Sequence, residues 1–156
     1  MTQKINVGNK APLFILPDKN GRMVKLEDYL GKKIIVLYFY PKDESPGCTK
    51  EACFFRDRYE LFLKHDAEVI GISSDDRQSH AAFTDKYDLP FILLSDVNDK
   101  VREKYDVGAT LGLIPGRKTF VIDKKGIIRH QFSSQFNPKK HVDEAIRIIT
   151  QLQKED

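Results

Sequence analysis

The sequence predicts an α/β fold, a mixed sheet flanked by helices with a β-hairpin near its N-terminal end, and three observations carry that reading. Residues 34–40 are an unbroken run of aliphatic, β-branched and aromatic residues closed by Pro41, the pattern of a strand buried on both faces. Val142, Ala145, Ile146, Ile149 and Leu152 recur at spacings of three or four, which puts them on one face of a helix. Asp123-Lys124-Lys125-Gly126 is a tight-turn sequence between two strand-like runs, so those runs predict an antiparallel hairpin.

Each element follows in order. Asp18-Lys19-Asn20-Gly21 joins short strands around 14–16 and 23–24 into the first hairpin. After the strand at 34–40 comes a helical pattern over about 48–65, with Cys53, Phe54, Tyr59 and Phe62 among its apolar positions. A second buried strand at 69–73 is followed by a helix over about 77–87, a strand at 91–95 and a helix over about 100–105. The hairpin strands at 119–123 and 127–132 precede a last helix over 138–154, where Asn137 offers a cap and Pro138 fits the first helical position. No repeat, low-complexity stretch or linker interrupts this order, so residues 1–156 are expected to form one domain.

A chain of 156 residues buries roughly 68–70% of its unfolded surface, enough for a core without disulfides or metals. No run of 18 apolar residues occurs, which excludes a membrane-spanning helix. The start, Met1-Thr2-Gln3-Lys4-Ile5-Asn6, lacks the apolar stretch of a signal peptide. A cytoplasmic protein is therefore expected, or the mature form of one imported into a compartment such as the plastid stroma. The net charge of +3 comes from interspersed charges, so nucleic acid is not an expected partner.

Two cysteines are too few for a disulfide scaffold or a four-cysteine zinc site, and in a reducing compartment a close pair points to redox chemistry. Cys48 falls where a buried strand ends, a turn follows and a helix begins. Ligands of α/β sheets bind beyond the carboxyl ends of strands, and a helix N-terminus favours a thiolate. Cys48 is thus expected to be reactive, and its neighbours Pro46-Gly47 and Thr49-Lys50 are poor company for a core cysteine. Cys53 lies five residues on, about 140° around an intact helix and about 8.6 Å away between Cα atoms, beyond disulfide reach. Spacing leaves open whether Cys53 is an apolar-face residue or pairs with Cys48 after the helix start unwinds. A Cys-x-x-Cys pair, a P-loop and a Gly-x-Gly-x-x-Gly turn are all absent, so neither flavin nor nucleotide is expected and no cofactor is assigned. His65, His80, His130 and His141 sit in polar sequence settings and are expected to be exposed and uninvolved, with no metal-ligand spacing among them.

Pro41-x-x-x-Ser45-x-x-Cys48 resembles the Pro-x-x-x-(Thr/Ser)-x-x-Cys motif of peroxiredoxins, and the longer string from Phe39 to Thr49 is similar to the bacterioferritin comigratory protein, or Q-type, subfamily. Gly8-x-x-Ala11-Pro12-x-Phe14 and residues 116–123 extend the likeness along the chain. The resemblance implies a thioredoxin-like fold and a thiol peroxidase acting on hydrogen peroxide and organic hydroperoxides. It makes Cys48 the peroxidatic nucleophile, Pro41 its shield from water, and Ser45 the hydroxyl that orients the peroxide where most relatives have threonine. Arg117 would stabilise the thiolate and the leaving oxygen, and the N–H groups of Gly47 and Cys48 would complete the pocket. Glu51 matches a position that holds the arginine, although a glutamate in the first helical turns needs no such role. The resemblance also makes Cys53 the resolving cysteine, regenerated by thioredoxin or a similar dithiol protein, and implies a monomer. The alternatives are a general thiol–disulfide oxidoreductase, which leaves Ser45 and Arg117 without a task, and a redox-gated interaction module, which does not need Cys48.

Overall fold

The computed structural model describes residues 5–110 and 114–155. Among them a five-stranded sheet runs in the order β5 (Ile92–Ser95), β4 (Ala67–Ser73), β3 (Ile34–Phe39), β8 (Lys118–Ile122), β9 (Ile128–Ser133). Strands β3, β4 and β5 are parallel, while β8 runs antiparallel to β3 and β9 antiparallel to β8. The N-terminal hairpin pairs β1 (Ile15–Pro17) with β2 (Met23–Lys25) as the turn sequence requires. A second small pair, β6 (Ala109–Thr110) with β7 (Ile114–Pro115), had no sequence signal, because two-residue strands show no periodicity.

Strand β3 explains the two-sided core. All six of its residues are buried, and alternate side chains enter opposite clusters. Ile34, Val36 and Tyr38 meet α1 (Pro46–Asp57), α2 (Tyr59–Lys64), α3 (Arg77–Tyr87) and α5 (Pro138–Glu155). Ile35, Leu37 and Phe39 meet the hairpin, the 3-10 turn Leu26–Tyr29 and α4 (Lys100–Lys104). The period of two in the strand thus divides one hydrophobic run between two layers. Gly71 on β4 leaves room for this packing, since a Cβ there would stand 2.8 Å from Leu93 and 2.9 Å from the Tyr38 ring.

One sequence expectation fails here. The helix expected over 48–65 is two helices, broken at Arg58, whose φ of −110° and ψ of 5° leave the helical region. Its N–H turns to the Phe55 carbonyl three residues back. Phe55 and Phe62 are both fully buried and lie seven residues apart, so the apolar stripe continues across the break and hides it. Other boundaries move by one or two residues, which is ordinary fraying.

The topology positions two chain segments side by side. Phe39, the last residue of β3, pairs with Lys118, the first of β8. The residues just beyond, Tyr40 onward and Arg117, therefore emerge together at one end of the sheet, beyond the carboxyl end of β3. Arg102 of α4 braces them, with Nη2 donating to the Tyr40 carbonyl at 2.8 Å and Nη1 to the Gly116 carbonyl at 2.8 Å.

Candidate active site

Helix α1 starts at Pro46, so Gly47 and Cys48 occupy its first turn. Backbone N–H groups there have no intrahelical acceptor and stay free to donate outward. Cys48 is 1% exposed, and its sulfur is not an apolar packing atom alone: Arg117 Nη2 donates to Sγ at 3.3 Å. The same guanidinium donates from Nη1 to Glu51 Oε1 at 2.6 Å and from Nε to the Gln135 carbonyl at 3.2 Å. Three acceptors, two on α1 and one beyond β9, thus fix the plane of Arg117, a task that the five-donor guanidinium fork suits and an ammonium does not.

Glu51 is fully buried. Burial pushes its carboxyl up to about 7, against the pull of the Arg117 charge and hydrogen bond. Oε2 lies 3.8 Å from His141 Nδ1. His141 is also fully buried, with Nδ1 2.8 Å from Thr119 Oγ1 and Nε2 2.7 Å from the Ser134 carbonyl. Burial lowers it to about 4, while the Ser134 carbonyl pulls the other way and Arg117 adds to the lowering. The ring is therefore neutral at pH 7. A carbonyl can only accept, so Nε2 carries the proton and Nδ1 accepts from the Thr119 hydroxyl. Tyr38 lies against the same group, its hydroxyl held well above the usual tyrosine range by burial and then by Glu51 and Cys48.

The expected site residues divide accordingly. Cys48, Gly47, Glu51 and Arg117 are brought together, and Glu51 is a direct partner of the arginine rather than an ordinary surface glutamate. Gly47 is needed where it is: a Cβ would stand 3.0 Å from Arg117 Nη2. Gly47→Ala is expected to displace the guanidinium and to slow the peroxide reaction that the resemblance assigns to Cys48 by about tenfold, read from single-turnover kinetics with unchanged thermal stability as the control. Pro41 is half-buried at the loop start. Ser45 donates its hydroxyl hydrogen to the Lys42 carbonyl at 2.9 Å, so what its oxygen offers outward is lone pairs. Cys53 is half-buried on α1, and both cysteines are free, as helical geometry at five-residue spacing demands. Beside Arg117 an open depression of about 400 Å³ is lined by Val107, Gly116, Ser133 and Gln135 among others.

The expectation of four exposed histidines fails: His80 and His141 are fully buried, and His65 and His130 are half-buried. The sequence held a signal for His141, which stands four residues before Ala145 and eight before Ile149 and so falls on the apolar stripe of α5.

Residues 7–131 match the AhpC/TSA family. The chain is 54% identical over 147 residues to "Peroxiredoxin Q, chloroplastic" of Arabidopsis thaliana, a match covering 94% of this chain and 68% of that protein. Among solved structures it is similar to the peroxidoxin BcpB from Mycobacterium tuberculosis, with a TM-score of 0.86 and 35% identity over 93% of this chain and 96% of that one. It is also similar to Xanthomonas campestris peroxiredoxin Q, with a TM-score of 0.82 and 26% identity over 90% and 91% of the two chains.

Proposed function

Because the chain belongs to the AhpC/TSA family and is a peroxiredoxin, a thiol peroxidase with a thioredoxin-like fold, we propose that Cys48 is the sulfur that reduces the hydroperoxide and Cys53 the one that resolves it. The observation that carries this reading is the guanidinium of Arg117 set 3.3 Å from Cys48 Sγ at the first turn of α1. A thiolate there has a cation and the free N–H groups of a helix N-terminus around it.

The Cys48 thiolate attacks one peroxide oxygen and the O–O bond breaks. Sulfur gives two electrons and keeps one oxygen as sulfenic acid, while the other oxygen leaves as alkoxide or hydroxide and takes a proton from water. Arg117 faces the charge that passes from sulfur to the leaving oxygen, and the N–H groups of Gly47 and Cys48 add to it. Ser45 accepts a hydrogen bond from the hydroperoxide, and Pro41 keeps water from the sulfur. Glu51 holds Arg117, and its charge competes with the thiolate for one guanidinium. The Cys53 thiol then displaces the sulfenic oxygen as water to form an intramolecular disulfide. That step requires the start of α1 to unwind, since intact helix keeps the two sulfurs apart. A dithiol protein such as thioredoxin reduces the disulfide by exchange. The chain works as a monomer in a thiol-reducing compartment, cytoplasmic or stromal. No described helix is long and apolar enough to cross a membrane.

The near-complete burial of Cys48 favours this over a general protein disulfide reductase, because a small peroxide reaches a sulfur that a folded partner's disulfide does not. Intact mass after seconds with one equivalent of hydrogen peroxide tests it. Wild type is expected to lose two hydrogens and Cys53→Ser to gain one oxygen. An unreactive wild type sinks the proposal, and oxygen gain without disulfide in wild type removes Cys53 from it.

A further inference from the structure

The loop that delivers Cys48 is fastened at one residue. Asp43, 3% exposed, lies between Pro41 and Ser45. Its Oδ1 accepts from the Tyr40 hydroxyl at 2.6 Å, and its Oδ2 from Ser79 Oγ at 2.9 Å and His80 Nδ1 at 2.7 Å. Its own N–H donates to Asp75 Oδ2 at 2.8 Å, an oxygen that also accepts from Ser73 Oγ at 2.6 Å. His80 is fully buried and directs Nε2 at the Leu94 carbonyl, 3.0 Å away. Both ring nitrogens face oxygens, so the imidazole is held between the Asp43 carboxyl group and the Leu94 carbonyl inside the protein. Asp43, Asp75 and His80 converge closely enough to suggest a cation site, but the converging oxygens already accept protein hydrogen bonds. The cluster is a fastening. It ties the loop to the end of β4, to α3 and to β5.

The next residue is built differently. Glu44 has φ of +68°, a left-handed conformation that a residue with a Cβ holds only under constraint. Among the described residues its side chain meets Lys86 Nζ at 3.1 Å and the Tyr87 hydroxyl at 3.4 Å. One residue later, Ser45 occupies the N-cap position of α1, its hydroxyl turned back to the Lys42 carbonyl rather than onto the helix.

We propose that Asp43 is a positioning residue and Glu44 the hinge beside it, so that the chain stays fixed through residue 43 while everything from Ser45 into α1 moves when the disulfide forms. This rests on the reading of Cys48 and Cys53 given above. The fastening holds the thiolate in register with Arg117 and fixes where unwinding stops. Weakening it lets unwinding spread into 40–43, a gain in freedom that the wound arrangement does not share, so the balance moves toward the unwound form, which slows the peroxide step and speeds disulfide closure.

Two variants test this. Ser79→Ala removes one hydrogen bond from the partly exposed rim, and Asp43→Asn leaves size unchanged but replaces one of the two carboxyl oxygens that Tyr40, Ser79 and His80 meet with an NH2 group. Rapid-quench intact mass reads oxygen gain in the Cys53→Ser background and closure of the sulfenic form in the background with both cysteines. Ser79→Ala is expected to slow oxygen gain by about fivefold and Asp43→Asn by roughly tenfold or more, each with faster closure. Opposite movement of the two rates is what a general loss of stability does not produce. Rates that stay unchanged, or fall together in step with the melting temperature, overturn the proposal. Failure of the peroxidase reading shows separately, as a Cys53→Ser protein that gains no oxygen. In that event amide exchange of the reduced protein decides: 46–53 must open at least about tenfold faster than 40–43, and Asp43→Asn must erase the difference. Equal protection across residue 44 in the unaltered protein overturns the proposal.

Discussion

Arg117→Gln is expected to slow the reaction of Cys48 with hydrogen peroxide by about 10²–10³-fold, the usual cost of removing a preorganised donor from developing negative charge. The variant keeps its fold. Without the guanidinium, the buried Glu51 takes a proton, because Arg117 is what lowers its carboxyl against burial and the neutral acid tolerates an apolar site. Arg117→Lys is not expected to rescue the rate. One ammonium cannot reach Cys48 Sγ, Glu51 Oε1 and the Gln135 carbonyl together, as the guanidinium does. The measurement is oxygen gain by rapid-quench mass spectrometry in the Cys53→Ser background. A loss of less than about threefold in Arg117→Gln would show that the arginine does not face the reacting charge.

The second large effect is on stability, and it comes from Glu51 and His141 pulling in opposite directions. The Glu51 carboxyl stands at about 7 in the folded protein against an ordinary 4.5. The folded state therefore binds this proton more tightly, and the stability it contributes is full below pH 4.5 and lost as pH rises through 7. His141 stands at about 4 against an ordinary 6.5. Here the unfolded chain binds the proton more tightly, so its contribution is full above pH 6.5 and lost as pH falls through 4. Each gap corresponds to about 3 kcal/mol, and across pH 4.5–6.5 the two slopes cancel. Single substitutions uncover them. Relative to wild type, Glu51→Gln should gain about 3 kcal/mol as pH rises from 4.5 to 7, and His141→Gln should lose about 3 kcal/mol as pH rises from 4 to 6.5. Urea midpoints across this range check both. Variant curves parallel to wild type would mean that neither group titrates as its burial requires.

Much of the site was legible because its chemistry is local. Pro41, Ser45, Gly47 and Cys48 lie within eight residues, and a strand, a turn and a helix start can be read from their neighbours. Arg117 is 69 residues from Cys48, and only the family resemblance linked them. What supports these residues was not legible. Thr119 with His141, Asp43 with His80 and Arg102 with the Tyr40 carbonyl span 22, 37 and 62 residues, and nothing in a single sequence marks side chains that meet across such distances. Polar neighbours made His80 and His141 look exposed, yet their ring nitrogens are satisfied internally by a carboxylate, a hydroxyl and carbonyls, which is the condition for burying them. The fold was read more fully than its breaks, since Arg58 interrupts a helix without interrupting its apolar stripe.

The pairing of Phe39 with Lys118 also sets an order of events during synthesis. Cys48 is translated early, but its cation lies beyond residue 116 and the histidine beside Glu51 lies in the last helix. A growing chain adds residues from the N-terminus at about 5–20 per second, so for several seconds the cysteine is on the chain while Arg117 is not. Over that interval its thiol has no guanidinium beside it. With the roles proposed for Cys48 and Arg117, the peroxide chemistry switches on only when β8 closes against β3, which ties the arming of the nucleophile to near-completion of the fold.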